Sequence, residues 1–245
     1  MIIRSIVPRT CVALIATLAM LAAWQQAGAA TIYKASTDFD AAFAAGNGGL
    51  SGGPFSFGYA GSLGGSITPY TAAQTISSIN FLHASGLSGD NLSPLVSRNT
   101  SASSVTWSTV TLAGNEMAFH PGEGAFQYSI IRFTAPQTAT YAFNAEFVGR
   151  DVFGTTTTVY ALVNGVQTFS SAVSGFNGPP VTYAPSIGLA QGDTIDIAVG
   201  RGANRSYYND TTGLGANLSA SVVPTPAAIW GGLLLGCLVV SRRRR

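Results

Sequence analysis

Residues 155–170 read TTTTVYALVNGVQTFS and carry the clearest strand and turn signals of the chain. Threonine, valine and aromatic residues are typical of β-strands, and they occupy both sides of the dipeptide Asn164-Gly165. Asn-Gly is the favoured two-residue turn of a β-hairpin because both residues tolerate positive φ. The stretch therefore predicts two antiparallel strands joined at Asn164-Gly165.

Two further segments near this hairpin alternate apolar and polar residues. In TYAFNAEFV (residues 140–148) four apolar side chains share one face, and Asn144 and Glu146 lie on the other. In TIDIAV (residues 194–199) we expect the isoleucines and the valine to point inward and Asp196 to point outward. A period of two is typical of a strand that buries one face, so both segments are predicted strands.

Strand signals recur at short spacing along the second half of the chain. FQYSIIRF (residues 126–133) is β-branched and aromatic, and VTYAPSIGL (residues 181–189) carries Pro185, which favours an edge or a bulge. From Trp107 onward the pattern predicts seven or eight strands with no helix between them. Such a series predicts an all-β fold, an antiparallel β-sandwich or jelly roll.

The N-terminal half carries weaker signals. A short helix is expected around Phe39, with Thr37 as its N-cap and Gly46 at its end. The alternation in FSFGY (residues 55–59) suits an edge strand. Residues 85–104 are rich in Ser, Gly, Asn and Pro, which predicts a loop.

Residues 1–30 have the three parts of a secretory signal peptide. Two arginines come first, an apolar run follows, and Ala27 and Ala29 form the small-x-small pattern of a cleavage site. Signal peptidase is expected to cut after Ala29 or Ala30, which removes an N-terminal signal helix. An uncleaved membrane anchor is the alternative.

The chain ends VPTPAAIWGGLLLGCLVVSRRRR (residues 223–245). Its apolar run of fourteen residues is shorter than the roughly 20 that a spanning helix needs, and the final arginines favour the cytoplasmic side. A hydrophobic helix that enters the membrane transiently is therefore expected. The residues predicted to direct sorting and processing are Val223, Pro224, Thr225, Pro226, Arg242, Arg243, Arg244 and Arg245.

This order of Val-Pro-x-Pro, short apolar helix and arginine cluster closely resembles the PEP-CTERM sorting signal, with Thr225 in place of the family's glutamate. The resemblance implies a Gram-negative bacterium and an exosortase-type membrane transpeptidase as the partner. It also implies a passage through the inner membrane to the cell surface or extracellular matrix. The predicted domains are a signal peptide (1–30), a β-sandwich ectodomain (31–222) and a sorting signal (223–245). A plain C-terminal anchor is the alternative.

The composition of residues 31–223 excludes several classes of protein. Six Lys and Arg residues stand against ten Asp and Glu residues, a net charge of −4, although the whole chain is formally +2. No basic patch is left for nucleic acid. Both cysteines, Cys11 and Cys237, lie in the terminal segments. Disulfides, thiol catalysis and cysteine-bound zinc are therefore excluded from the ectodomain.

Several blocks of the ectodomain occur in a familiar order. They are PFSFGY, HPGEGAFQYSIIRFTAP, ATYAFNAEFVG, VNG, GDTIDIAVG and YYNDTTGL. Together they resemble jelly-roll domains similar to carbohydrate-binding modules, which often precede PEP-CTERM tails. The resemblance covers most of residues 50–220 and implies binding of extracellular polysaccharide, without assigning binding residues.

The segment RGANRSYYNDTTG (residues 201–213) is the densest mixture of aromatic and polar residues. Aromatic faces stack on sugar rings, and amide, guanidinium and carboxylate groups bind hydroxyls. The candidate ligand-binding residues are Arg205, Tyr207, Tyr208, Asn209 and Asp210. On a pleated strand Tyr207 and Tyr208 face opposite sides, so at most one is expected to pack inward. Alternatively, one tyrosine plugs the end of the sandwich and the loop is only solvated.

No catalytic residue is predicted. A glycosidase needs two carboxylates that flank a cleft, and no motif joins any two of the ectodomain's glutamates. These glutamates are Glu116, Glu123 and Glu146. A structural matrix protein without a ligand and a glycan hydrolase are the alternatives to a polysaccharide-binding protein.

Three other features have plain structural interpretations. Trp107 is expected in the core, and His120, in FHPGEG, is expected to be a turn histidine bonded to backbone. Asp193 and Asp210 have the oxygen ligands that calcium uses, but no spacing motif supports a site. The sequence therefore predicts no cofactor and no metal.

Overall fold

A computed structural model of the protein describes residues 31–85, 92–123, 128–214 and 218–223. The predicted signal helix and its cleavage site lie outside these ranges, as does the predicted C-terminal helix with its arginines. Val223, the first residue of the predicted sorting signal, is the last residue of a strand.

The described residues form one helix, α1 (Ala35–Ala44), and eighteen strands. The strands are β1 (Ile32–Lys34), β2 (Phe55–Ala60), β3 (Thr68–Pro69), β4 (Ala72–Ile76), β5 (Ile79–His83), β6 (Leu95–Asn99), β7 (Val105–Trp107), β8 (Val110–Leu112), β9 (Met117–His120), β10 (Tyr128–Thr134), β11 (Ala139–Gly149), β12 (Thr156–Val163), β13 (Val166–Ser174), β14 (Val181–Tyr183), β15 (Ser186–Leu189), β16 (Thr194–Arg201), β17 (Thr212–Leu214) and β18 (Ser219–Val223).

These strands make two large sheets and a small hairpin. The ten-stranded sheet has the order β1-β18-β11-β17-β9-β6-β5-β4, with β14 and β15 also paired to β11. The six-stranded sheet has the order β13-β12-β16-β10-β2-β3, and β7 pairs with β8. The registered pairs are antiparallel. Apolar residues of both sheets form one buried cluster, so the predicted antiparallel β-sandwich is confirmed.

Aromatic rings join the two sheets at the centre of this cluster. Phe133 of β10 lies 5.1 Å from Phe55 of β2, measured between ring centroids. Across the sandwich it lies 5.2 Å from Tyr141 and 5.3 Å from Phe143 of β11. Edge and tilted contacts of this kind add to the stabilisation from burial, so Phe133 connects the sheets.

The hairpin predicted from residues 155–170 is present. Val163 pairs with Val166, and the two turn residues between them, Asn164 and Gly165, have φ values of 49° and 79°. The strands on both sides are β12 and β13. The predicted turn chemistry therefore sets the register of this pair.

Asp196 does not point into solvent as the alternation predicted. It is buried, and its oxygens Oδ1 and Oδ2 accept hydrogen bonds from Nε and Nη2 of Arg132 at 2.6 and 2.8 Å. The outer face of the six-stranded sheet carries a second apolar cluster that includes Leu162 and Ala198. Because this face is also covered, the buried carboxylate of Asp196 needs a compensating charge, and the guanidinium of Arg132 on the neighbouring strand supplies it.

Helix α1 begins at Ala35, two residues before the expected cap Thr37. Its N-cap is Lys34, which makes no side-chain capping bond. The backbone N–H of Ala35 instead donates to the carbonyl of Leu218, because the helix follows directly from β1. Phe39 and Ala42 of this helix are buried. Within the described ranges, no helix has the length and apolarity that crossing a membrane requires.

Two strand predictions were incomplete. Residues 85–104, predicted as a loop, contain β6, which pairs with both β5 and β9. Residues 181–189, predicted as one strand, form β14 and β15 on either side of Pro185, and both pair with β11. Proline lacks the N–H that a continuous ladder needs, which explains the interruption.

We predict that Phe133→Ala lowers the free energy of unfolding by about 3–5 kcal/mol, since it removes a buried ring and leaves a cavity between the sheets. Urea unfolding of the purified protein measures this. Phe153→Ala is the matched control, because Phe153 is 74% exposed. It should change the free energy of unfolding by no more than about 0.5 kcal/mol. Equal effects of the two substitutions would contradict the assignment of Phe133 to the core.

Candidate functional site

A cleft of about 350 Å³ lies on the outer face of the ten-stranded sheet. Along β5, Leu82 points into the sandwich core, whereas its neighbour Phe81 belongs to a separate apolar cluster. Phe81, Ile79 and Leu95 form part of the apolar lining of the cleft. The hairpin β7–β8, the end of β9, Asp151 and the segment from Tyr207 to Thr211 supply the remaining sides.

Trp107, which was expected in the core, is part of this lining and is only half-buried. Its ring lies 4.9 Å from the ring of Phe81 with an interplanar angle of 60°. One side of the indole therefore packs against the apolar cluster while the residue also borders the cleft. Sequence alone did not distinguish a core position from one at the border of a cleft, because a tryptophan at the end of a short strand is compatible with either.

Tyr207 and Tyr208 stack on each other at the side of the cleft. Their ring centroids are 4.4 Å apart with an interplanar angle of 28°, and the Tyr207 ring also meets His120 edge-on at 6.4 Å. Tyr208 is 67% exposed and Tyr207 is half-buried. The expectation of opposite-facing rings was wrong because this segment is a turn, with Asn209 at a φ of 62°.

Buried hydrogen bonds hold this loop against the start of β12. Oδ1 of Asp210 accepts from the backbone N–H and the hydroxyl of Thr156 at 3.0 and 3.1 Å. The hydroxyl of Thr155 donates to the carbonyl of Thr211 at 2.9 Å. Asp210 and Thr211 are thereby both hydrogen-bonded to the start of β12, and this positions the preceding residues, Tyr207 and Tyr208.

The carboxyl group of Asp210 is fully buried. Burial raises its pKa to about 6, repulsion from Asp151 adds to this, and the bonds from Thr156 oppose it. Oδ2 of Asp210 has no hydrogen-bond partner among the described residues. Ionised Asp210 therefore costs the folded state free energy near neutral pH.

Asp151 and His120 are the titratable groups with the clearest polar contacts at the cleft. Oδ2 of Asp151 accepts from the Thr109 hydroxyl at 2.8 Å, and Oδ1 accepts from the backbone N–H of Phe153 at 3.0 Å. Burial lowers the pKa of His120 to about 4, against the opposing effects of the Pro121 carbonyl and Asp151. His120 is therefore neutral at physiological pH.

The tautomer of His120 follows from its neighbour. Nδ1 lies 2.6 Å from the carbonyl oxygen of Pro121, which only accepts hydrogen bonds, and 2.9 Å from the hydroxyl oxygen of Ser93, which can donate or accept. The contact with the carbonyl assigns the proton to Nδ1. Nε2 is then an acceptor. The backbone contact agrees with the expected turn histidine, and the place of His120 in the cleft lining was not predicted.

The five candidate residues of the loop separate into three groups. Tyr207, Tyr208 and Asn209 line the cleft. Asp210 lies behind them as a fastening residue, and Arg205 is exposed and outside the lining. Ser93, Thr109, His120 and Asp151 were not among the candidates, because no local motif marks them. Residues separated by more than 100 positions meet here only through the sheet.

Carboxylates are sparse at the cleft. Asp151 is the one carboxylate among the described residues that line it. Buried Glu116 instead accepts from Nε of Arg150 at 2.8 Å, while Glu146 lies on the exposed face of β11. The two flanking carboxylates that a glycosidase uses are therefore not found together in the described lining.

Asp193 and Asp210, considered as calcium ligands, lie at opposite ends of β12. Asp210 is bonded to Thr156 at its start, whereas Thr194, next to Asp193, accepts from the N–H of Asn164 beyond its end. The two carboxylates therefore do not share one ion. Among the described residues there is no group of three or more His, Cys, Asp or Glu side chains placed to hold a metal.

No family model matches the sequence, and no curated protein matches it. Several solved structures that match parts of the chain contain carbohydrate-binding modules. A CBM51 module of Clostridium perfringens GH95 in complex with methyl-galactose shares 13% identity at a TM-score of 0.34, covering 52% of this chain and 87% of that one.

Two larger structures also contain CBM51 modules. In Clostridium perfringens ZmpB the match has 12% identity and a TM-score of 0.39, and it covers 63% of this chain but 19% of that one. In the Streptococcus pneumoniae family 98 glycoside hydrolase the match has 10% identity and a TM-score of 0.37, and it covers 61% of this chain and 48% of that one. At TM-scores below 0.5, neither ligand nor activity is transferred from these proteins to this chain.

We predict that Asp210→Asn flattens the pH dependence of stability between about pH 4 and 6. The raised pKa means that the folded state holds this proton more tightly than the unfolded chain, so wild-type stability falls as the pH rises through this window. A pKa raised from 3.8 to about 6 corresponds to about 3 kcal/mol. Urea unfolding at a series of pH values measures the difference between variant and wild type.

Asp193→Asn is the control for this experiment, because Asp193 is a half-buried turn residue at the other end of β12. It should leave the slope between pH 4 and 6 close to that of the wild type. If Asp210→Asn also keeps the wild-type slope, the carboxyl group is not desolvated as described.

Proposed function

We propose that the protein binds an uncharged polysaccharide in the cleft beside Tyr208. The observation that carries this is the combination of Trp107, Tyr207 and Tyr208 with the polar groups of Asn209 and His120 in one lining. Sugar rings present apolar C–H faces and rims of hydroxyls. Aromatic rings with a few placed polar groups suit both features.

The size of the cleft fits this ligand class. Its volume of about 350 Å³ lies at the lower end of the range for small-molecule sites, which suits a short stretch of sugar residues. Nε2 of neutral His120 is available to accept a hydrogen bond from a sugar hydroxyl, and the amide of Asn209 both donates and accepts hydrogen bonds. The hydroxyls of Ser93 and Thr109 also line the cleft, where they contact His120 and Asp151, and their oxygens have acceptor capacity left for a sugar hydroxyl.

The charge of the lining favours neutral over acidic glycans. Asp151 is a buried carboxylate, and no Lys or Arg stands among the described lining residues. A second unit charge of the same sign at 4 Å costs about 4 kcal/mol at an effective dielectric constant of 20. A uronate carboxylate would meet this repulsion without a compensating cation.

We predict that Tyr208→Ala weakens binding of the best neutral polysaccharide by about 1–3 kcal/mol, a range known for stacking of bases on aromatic side chains. Tyr208→Phe keeps the ring and should retain most of the affinity. Titration calorimetry against a panel of neutral β-glucan, xylan, galactan and mannan measures this, with alginate and polygalacturonate as acidic comparators. Both variants should unfold at the wild-type temperature, since Tyr208 is exposed.

Three results would count against this proposal. Absence of binding to every neutral glycan would favour the alternative of a structural matrix protein without a ligand. Equal losses for Tyr208→Ala and Tyr208→Phe would remove stacking as the cause. Release of new reducing ends from a bound polysaccharide, abolished by Asp151→Asn, would favour the hydrolase alternative.

We also propose that the protein is exported and sorted through its C-terminal segment to the cell surface or extracellular matrix. The signal-peptide pattern and the order of residues 223–245 support this. The pairing of β1 with β18 is compatible with it, because the N–H of Val222 donates to the carbonyl of Thr31 at 3.0 Å. Cleavage after Ala30 would leave the new N-terminus beside the strand that leads to the tail.

Intact-mass spectrometry of the protein recovered from its native cells tests the processing. We expect loss of the first 29 or 30 residues together with the arginine tail. Replacement of Pro224 and Pro226 by alanine should leave the tail attached, because the Pro-x-Pro motif is the proposed cutting site. A stable wild-type species that retains Arg245 would make the tail a plain membrane anchor.

A further inference from the structure

Exposed apolar side chains are concentrated around the turn that follows β11. Phe153 is 74% exposed, more than any other large apolar residue in the described part of the chain, and its neighbour Val152 is 47% exposed. Phe176, at 38%, lies on a loop bonded to the same region through Asn177 and Gly149. Exposed apolar side chains that cluster together contribute little to folding, and such clusters often mark a surface that contacts another molecule.

The turn that carries Phe153 is joined to the cleft by hydrogen bonds. Asp151, its first residue, lines the cleft and forms an isolated antiparallel bridge with Val110 of β8. The N–H of Val152 donates to the carbonyl of Thr109 at 2.9 Å. Thr109 also lines the cleft, so this backbone runs along its border and Phe153 is one residue further on.

Two hydrogen bonds to Asp151 fix the backbone of this turn. The N–H of Gly154 donates to the carbonyl of Asp151 at 3.0 Å, and the N–H of Phe153 donates to Oδ1 of the same residue at 3.0 Å. Gly154 has a φ of 96°, which glycine adopts without strain. The backbone that carries Phe153 is therefore fixed before a ligand arrives, which limits the backbone entropy lost on binding.

We propose that the binding site continues from the cleft onto this turn, where Phe153 stacks on the sugar residue next to the one bound beside Tyr208. The ligand is then a run of consecutive residues within a polysaccharide, and not a single sugar at a chain end. This inference rests on the proposed function. It adds Phe153 as a specificity-determining residue that recognises chain length.

Two exposed aromatic rings, those of Tyr208 and Phe153, support this inference. Tyr208 projects from the loop before β17, and Phe153 projects from the turn before β12, with Asp151 and Thr109 of the lining on the Phe153 side. A chain that crosses the cleft toward the turn meets hydrogen-bonding groups inside and an apolar ring outside. The Phe153 ring has no hydroxyl group, so it can stack on a sugar but cannot select it by hydrogen bonding.

The experiment measures affinity against chain length. Oligosaccharides of graded length, prepared from the neutral polysaccharide that binds best, are titrated into the full-length wild type and Phe153→Ala. We expect wild-type affinity to rise with length and Phe153→Ala to lose about fivefold or more for long oligosaccharides, following the range for aromatic stacking. Affinity for the shortest ligand that binds should be unchanged.

Matched variants separate stacking from other effects. Phe153→Tyr keeps an aromatic ring and should preserve the length dependence, whereas Phe153→Leu keeps apolar bulk and should lose it. Val166→Ala removes an exposed apolar side chain next to the Asn164-Gly165 turn, at the other end of β12 from Phe153, and should leave all affinities unchanged. Melting temperatures confirm that each variant is folded.

The failures of the two proposals are distinguishable. If neutral glycans bind and Tyr208→Ala weakens them, but Phe153→Ala leaves the affinity for long oligosaccharides unchanged, the extended site is overturned and the proposed function stands. If no glycan binds the wild type, both are overturned. If Phe153→Ala weakens the shortest and longest ligands equally, Phe153 belongs to the cleft itself and the length-sensing role is wrong.

Discussion

The contact of Phe133 with Tyr141 and Phe143 is the interaction on which the rest of the structure depends. These rings come from β10 and β11, consecutive strands that belong to different sheets. Packing them together fixes the two sheets face to face. It also fixes where β11 ends, at Gly149, and therefore where the turn beginning at Asp151 meets the outer face of the ten-stranded sheet. The cleft thus owes its position to the core.

The loop from Gly202 to Thr211 is built by polar contacts instead. A Cβ atom on Gly202 would lie 2.0 Å from the carbonyl oxygen of Thr156, so only glycine allows the loop to leave β16 this close to β12. Asp210 then fastens the far end of the loop at the cost of burying a carboxylate. Rigid placement of Tyr207 and Tyr208 is the consequence. If the proposed ligand binds here, this fixed loop reduces the entropic cost of binding.

The low charge of residues 31–223 agrees with the mostly uncharged lining of the cleft. Residues 31–223 carry few charges, and the ion pairs of Arg132 with Asp196 and of Arg150 with Glu116 use several of them away from the cleft. The cleft is left with aromatic rings, hydroxyls, an amide, a neutral imidazole and one carboxylate. The proposed binding of neutral sugars uses these groups, and the proposed stacking on Phe153 would extend the site along a polysaccharide chain.

Local sequence patterns determined much of the fold. Asn164-Gly165 set the β12–β13 turn, and the alternation of residues 140–148 set the buried face of β11, because both signals depend only on neighbouring residues. Sequence also indicated the aromatic loop around Tyr207. Only the tertiary structure decided that Asp196 is buried, since the outer face is covered by residues far away along the chain. Likewise it brought Trp107 and Asp151 to Tyr207. A period of two tells which residues share a face, but what covers that face depends on long-range pairing.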